Sequence, residues 1–121
     1  MSNQPGRRRQ LVVTDMGDVT VVSFTEKKIL DEPNIQAIGE QLYSLVDDQA
    51  KKKIVLNFSR VEYLSSAALG KLITLNKKVQ TAGGRLALCA IAPQIYEVFE
   101  ITGLKRVFNM YGEEQEALQS F

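Results

Sequence analysis

Tyr63-Leu64-Ser65-Ser66-Ala67-Ala68-Leu69-Gly70 stands where one kind of periodicity ends and another begins. Upstream, Ile54-Val55-Leu56-Asn57-Phe58 is a short, nearly continuous apolar run, the pattern of a central strand covered on both faces. Residues 59–64 read as a connection. From Ser66 to Thr81 the period becomes helical, with Ala68, Leu69, Leu72, Ile73, Leu75 and Val79 on the side expected to be buried. Ser66, Gly70, Thr74 and Lys77 or Lys78 fall opposite, flanked by Lys71. Ala82-Gly83-Gly84 should end this helix, because glycine tolerates the left-handed conformation that helix ends often need.

Working towards the N-terminus, Lys51-Lys52-Lys53 is the solvated approach to the central strand. Before it, Ile35, Ile38, Leu42, Leu45 and Val46 recur at spacings of three and four, so a helix is expected from Asp31-Glu32-Pro33-Asn34 to about Asp47-Asp48-Gln49. Residues 26–28 are a polar excursion. Leu11–Thr14 and Val19–Phe24 are β-branched runs around a glycine-containing gap, which reads as a hairpin. Residues 1–10, with Pro5, Gly6 and Arg7-Arg8-Arg9, show no apolar period and read as a flexible arm.

Towards the C-terminus, residues 85–90 form another strand. Pro93 opens a third helix with Ile95, Val98, Phe99 and Ile101 as its apolar face and Gly103 as its stop. Residues 106–109 make a last strand and residues 113–118 a short helix. The order β-β-α-β-α-β-α-β-α predicts one α/β domain over residues 11–121, with a mixed sheet, an initial hairpin, parallel crossovers and about four helices.

The chain has 121 residues, 45% hydrophobic and 24% charged, with a net charge of +1. A near-neutral charge gives no field for nucleic acid. With no histidine, Ser-His-Asp triads and imidazole metal sites are out of reach. The single cysteine, Cys89, excludes an internal disulfide framework and suits a reducing compartment. It lies in an apolar strand, as a buried, inert thiol would. No apolar run approaches the roughly 20 residues needed to span a bilayer, and Met1–Gln10 lacks the core of a signal peptide. A cytoplasmic, non-enzymatic protein without cofactor or metal is expected. Gly83-Gly84 follows a helix and precedes a strand, the wrong context for a phosphate-cradling loop. Asp31-Glu32 and Glu113-Glu114 suit helix N-termini better than acid–base chemistry.

Ser65-Ser66 keeps two meanings at this level. One hydroxyl can cap the helix for about 1 kcal/mol. Equally, the small residues Ala67, Ala68 and Gly70 leave room for a partner's backbone or a kinase, and a phosphate would meet unpaired helix amides.

Taken together, Ile54-Val55-Leu56-Asn57, Ser65-Ser66-Ala67-Ala68-Leu69-Gly70, Gly83-Gly84-Arg85-Leu86 and Ala92-Pro93 through Gly103-Leu104 resemble a STAS domain, in the stand-alone form of bacterial anti-sigma-factor antagonists. The likeness runs over residues 10–121, with Leu30-Asp31 similar to the family's Leu-Asp before its first helix. Family members carry Asp-Ser-Ser/Thr-Gly-Leu-Gly, whose first hydroxyl residue is phosphorylated by a partner that is both kinase and anti-sigma factor. In gapless register the aspartate falls on Ser65, the acceptor on Ser66, the second hydroxyl on Ala67 and the first glycine on Ala68. Leu69 and Gly70 match unchanged.

The resemblance therefore implies phosphorylation at Ser66, with Ser65 the lesser candidate. It implies partner contact through Ser65, Ser66, Ala67, Gly70, Lys71 and Thr74, and it implies as partners an anti-sigma factor of the serine-kinase type and a phosphatase. Nucleic acid and membrane are not implied, and the expected state is a monomer or weak dimer. Three departures stand out: Ser65 removes the acid beside the acceptor, Ala67 removes a hydroxyl, and Ala68 adds a methyl expected at the surface. The alternative is a STAS adaptor that binds partners without phosphorylation control. A nucleotide-binding enzyme on the same fold is the more distant rival.

Overall fold

A computed structural model of the protein describes residues 10–121. All of the expected arm but Gln10 lies outside the described residues. Strands β1 (Leu11–Met16) and β2 (Val19–Phe24) form the hairpin, longer than the β-branched runs alone indicate. Met16 pairs with Val19, which leaves only Gly17 and Asp18 in the turn. Gly17 takes φ 70°, a value glycine adopts without penalty and the tight hairpin turn needs.

After β3 (Lys28–Ile29) comes α1 (Glu32–Asp47), entered through extended Asp31 with Pro33 in its first turn. Its expected stripe is buried in full: Ile35, Ile38, Leu42, Leu45 and Val46. Strand β4 (Lys53–Asn57) follows, with Ile54, Val55 and Leu56 fully buried, as a strand covered on both faces requires. Then come β5 (Tyr63–Leu64), α2 (Ser66–Thr81), β6 (Arg85–Cys89), α3 (Pro93–Ile101), a 3-10 turn (Leu104–Arg106), β7 (Asn109–Tyr111) and α4 (Glu114–Gln119).

The five-stranded sheet has the order β1-β2-β4-β6-β7, antiparallel in the hairpin and parallel thereafter. Its two faces are filled unequally. Leu11, Val22, Phe24, Ile54, Leu56, Leu86 and Leu88 meet the inner stripes of α1 and α2 together with Ile95 and Phe99 of α3. On the reverse side, Val19, Val21, Val55, Ala87 and Cys89 are covered around Ala117 of the short α4. A capping box fixes the start of α4: the Glu113 backbone N–H donates to Glu116 Oε1 at 3.1 Å. Asn57 Nδ2 donates to Glu114 Oε1 at 2.8 Å and ties the helix to β4.

Several expectations need correction. The strand expected over 106–109 lies instead at 109–111, because Gly103, at φ 79°, opens a 3-10 turn that consumes Leu104–Arg106. Phe108 is used for packing, edge-on to Phe99 with ring centroids 5.6 Å apart, and not in the ladder. In α3 the buried residues are Ile95 and Phe99, one turn apart, whereas Val98 faces outward and Ile101 is 78% exposed. Strand β6 stops at Cys89 because Ala90 turns to φ 57°. Residues 28–29, of which Lys28 was expected in the polar excursion, and residues 63–64, expected as connection, pair in parallel as a second, two-stranded sheet.

The end of α2 separates two roles that its glycines were expected to share. Gly83 takes φ 79° and makes the left-handed exit. Gly84 is needed for space: an added Cβ would come within 2.1 Å of the Lys52 carbonyl oxygen.

Candidate functional site

The two serines have different surroundings. Ser65 is the N-cap of α2, extended at φ −78° and ψ 163°, and its Oγ accepts a hydrogen bond from the Ala68 N–H at 3.2 Å. That occupies one of the orphan amides of the helix start. Ser65 is half-buried, and its own N–H donates to the Ile29 carbonyl at 3.1 Å. Ser66, the first helical residue, is exposed, and its hydroxyl makes no hydrogen bond among the described residues. Capping and accessibility thus fall on separate hydroxyls.

Along α2, Ser66, Gly70 and Thr74 recur every fourth residue and are all exposed, with Ala67 exposed beside them. Nothing lies within 4 Å of a Cβ built on Gly70, so the helix backbone is open to close approach there. Lys71 stands apart from this stripe. Its stem lies over Gly39 of α1 and its Nζ donates to Gln36 Oε1 at 3.3 Å. Tyr43 Oη donates to the Lys71 carbonyl at 3.4 Å. Of the six residues expected at the partner surface, Ser66, Ala67, Gly70 and Thr74 share one open face. Ser65 supports it from below and Lys71 forms its shoulder against α1.

Ala68 corrects an expectation. The family register put its methyl at the surface whereas the helical period put it on the buried side, and the period is right: the residue is only 6% exposed and belongs to the main core. A change from glycine at this helical position favours the helix by up to about 1 kcal/mol without altering the outward face. The apolar gap beside it, lined by Ile38, Leu42, Ala68 and Leu72 among others and roofed by Lys71, has a volume of about 10 Å³. That is at the limit for one water and far below a ligand pocket.

Sequence reasoning missed the platform next to the serines. Leu30 and Tyr63 are each 51% exposed although large and apolar. Lys28 Nζ sits 5.6 Å from the Tyr63 ring centroid, and the Lys27 carbonyl accepts from the backbone N–H groups of Glu62 and Tyr63 at 2.7 and 3.1 Å. The two-stranded β3–β5 sheet thus holds an apolar, partly basic shelf directly before the α2 cap. Two-residue strands carry no periodicity, so the only available signal was an aromatic residue next to the motif.

Elsewhere, Cys89 is buried, and burial, with a smaller contribution from the Glu114 carboxylate, pushes its thiol up to about 11. It is no nucleophile near neutrality. Among the described residues no group of three or more His, Cys, Asp or Glu is arranged to hold a metal ion. No helix among them is long and apolar enough to cross a membrane.

Comparison with known proteins places these features. BtrV of Bordetella bronchiseptica, which bears the name of an anti-sigma factor antagonist, is 29% identical over 93 residues, covering 77% of this chain and 79% of its own. The crystal structure of an anti-sigma factor antagonist from Mycobacterium paratuberculosis superposes with a TM-score of 0.80 at 27% identity, covering 91% of both chains. The Bacillus cell fate determinant SpoIIAA, solved in its phosphorylated form, shares the fold at a TM-score of 0.70 and 20% identity, over 91% of this chain and 97% of its own. Anti-sigma factor antagonists are regulatory and not enzymatic, and this chain falls in the same class. The family model of the STAS domain matches residues 10–117, and the chain belongs to that family.

Proposed function

We propose that this protein is a cytoplasmic anti-sigma-factor antagonist, with residues 11–121 as one STAS domain. In its unmodified form it docks on an anti-sigma factor through the open face of α2 and thereby frees a sigma factor for transcription. Ser66, Ala67, Gly70 and Thr74 make the close contact, Leu30 and Tyr63 provide apolar anchorage beside it, and Lys71 borders it. The partner's kinase activity then transfers the γ-phosphoryl group of ATP to Ser66 Oγ. The new Oγ–P bond replaces the Pβ–O–Pγ bond, ADP leaves, and the hydroxyl proton is lost. The added charge of roughly −1.5 to −2 sits on an apolar and backbone-lined surface, where it opposes redocking. A phosphatase resets the surface.

One observation carries the choice of residue: Ser66 is exposed with an unengaged hydroxyl, while Ser65 Oγ is held by the Ala68 amide. Mass spectrometry after incubation with the cognate kinase and ATP tests it. Phosphate on Ser66, abolished in Ser66→Ala, is the expected result, and phosphate elsewhere or none at all overturns the assignment.

The adaptor reading is favoured by one feature, the serine at position 65 where the family places an acid. Under it, Ser66→Ala and Ser66→Asp bind the anti-sigma factor as the wild type does, with or without kinase and ATP. Under the switch reading, Ser66→Asp loses binding.

A further inference from the structure

The outward face of α2 does not end at Thr74. That residue also opens a groove of about 590 Å³ between the C-terminal parts of α1 and α2. Val46 and Asp47 form its α1 wall, and Thr74, Lys77, Lys78 and Thr81 its α2 wall. The volume lies within the range of binding clefts. Thr74 and Thr81 stand two turns apart, about 10 Å along the helix. Both are exposed, and their hydroxyls bond to nothing among the described residues. Charge in the groove is unevenly spent. Lys78 Nζ holds Asp47 Oδ2 at 2.9 Å and lies 5.3 Å from the Tyr43 ring centroid. Lys77 is exposed too, yet the ion pairs among the described residues engage Lys51, Lys53, Lys78 and Lys105 and leave it out. The carbonyls of Lys78, Val79 and Gln80 would repel an anion at a helix end. They are already taken by the N–H groups of Ala82, Gly84 and Gly83 at 3.0, 2.8 and 3.0 Å.

We infer that this groove receives an acidic segment of the anti-sigma factor, with a carboxylate on Lys77 Nζ and polar groups on the Thr74 and Thr81 hydroxyls. The inference rests on the reading of the chain as an antagonist and names the chemistry of that partner. Thr74 belongs both to the open face and to the groove, so a partner seated over Ser66 and Gly70 reaches Lys77 without leaving α2. A nucleic acid fits less well. It presents phosphates in series and needs several cations. The groove offers one unspent ammonium beside the Asp47 carboxylate. Along the helix axis Lys77 lies about 16 Å beyond Ser66, roughly twice the screening length at physiological salt. The groove is therefore an anchor separate from the switch: a phosphate on Ser66 neither pairs with Lys77 nor cancels it.

Titration of the full chain with its cognate anti-sigma factor, at about 50 and 300 mM salt, tests the proposal. At the lower salt Lys77→Glu should weaken binding about tenfold and Lys77→Met about threefold, and both differences should shrink at the higher salt. Lys52→Glu makes the same change of net charge at an exposed lysine outside the groove, and it should bind as the wild type does. All three variants should keep the wild-type midpoint in urea. If Lys77→Glu binds like Lys52→Glu, the groove proposal falls while the antagonist reading stands. No binding by the wild type removes both. A free chain that self-associates, and loses that association in Lys77→Glu, gives the groove to a second copy and overturns the proposal.

Discussion

The two faces of α2 share one helix and answer to different demands. Inward, Leu69, Leu72, Leu75 and Val79 are branched, buried and interlocked with the sheet and α1. Outward, Ser66, Gly70 and Thr74 are small or hydroxylic and touch almost nothing. The inward face needs bulk to fill the space between layers. The outward face needs the absence of bulk, so that another surface can reach the backbone. What holds the helix in place is therefore separate from what it presents, and substitutions should sort cleanly by face.

The strongest challenge to this separation comes from the buried side. Leu75→Ala, at a fully buried position, should lower the free energy of unfolding by about 2–5 kcal/mol in a urea titration. A loss under 1 kcal/mol would mean that the inner face is not the anchor. At the end of the same helix, Gly84→Ala must push against the Lys52 carbonyl, and a loss of about 1–3 kcal/mol is expected. Ser65→Ala removes the cap and should cost about 1 kcal/mol, whereas Ser65→Asp, an equally good cap, should leave the midpoint nearly unchanged. Ser65→Asp also restores the acid of the family motif, so its effect on the rate of Ser66 phosphorylation isolates the consequence of that departure. Gly70→Ala has open space around it and should raise stability by up to about 1 kcal/mol while weakening anti-sigma-factor binding in a titration. Equal binding by this variant would remove Gly70 from the docking surface. The smallest effect belongs to Ser66→Ala, within about 0.5 kcal/mol of wild type in stability. A larger loss would show that the exposed serine is structural after all.

The reverse face of the sheet offers a check that does not involve α2. With the Cys89 thiol held near 11 by burial, alkylation of the native protein at pH 8 should be at least about 100-fold slower than that of a free cysteine. It should accelerate as pH approaches 11, and at pH 8 only on unfolding. Fast native labelling would show that α4 does not seal that face.

Much of this arrangement was legible beforehand, for physical reasons that can be named. The stripes of α1 and α2 repeat often enough to fix a face, and the Ile54–Leu56 run had the composition of a strand buried on both sides. For Ser65 and Ser66 the family register singled out Ser66 as the acceptor, but which hydroxyl caps stayed open, because that depends on where the first turn begins. Phe108 misled because a β-branched and aromatic pair suits packing beneath a 3-10 turn as well as a ladder. Val98 and Ile101 misled because a nine-residue helix has too few turns for its apolar positions to fix a single face. The β3–β5 pair was invisible, since two residues of ladder show no alternation and its parallel partners are far apart in sequence.

That small pair has a consequence for how the proposed switch is thrown. Ser65 N–H is fastened to the Ile29 carbonyl, and the residues just before it to Lys27. The start of α2 is thus moored at two points of one segment before any phosphate arrives. A group added to Ser66 repaints a fixed surface and has no hinge to swing. The state of the protein should then be carried by surface charge alone, and the time needed to change it should be set by the enzymes that write and erase the mark.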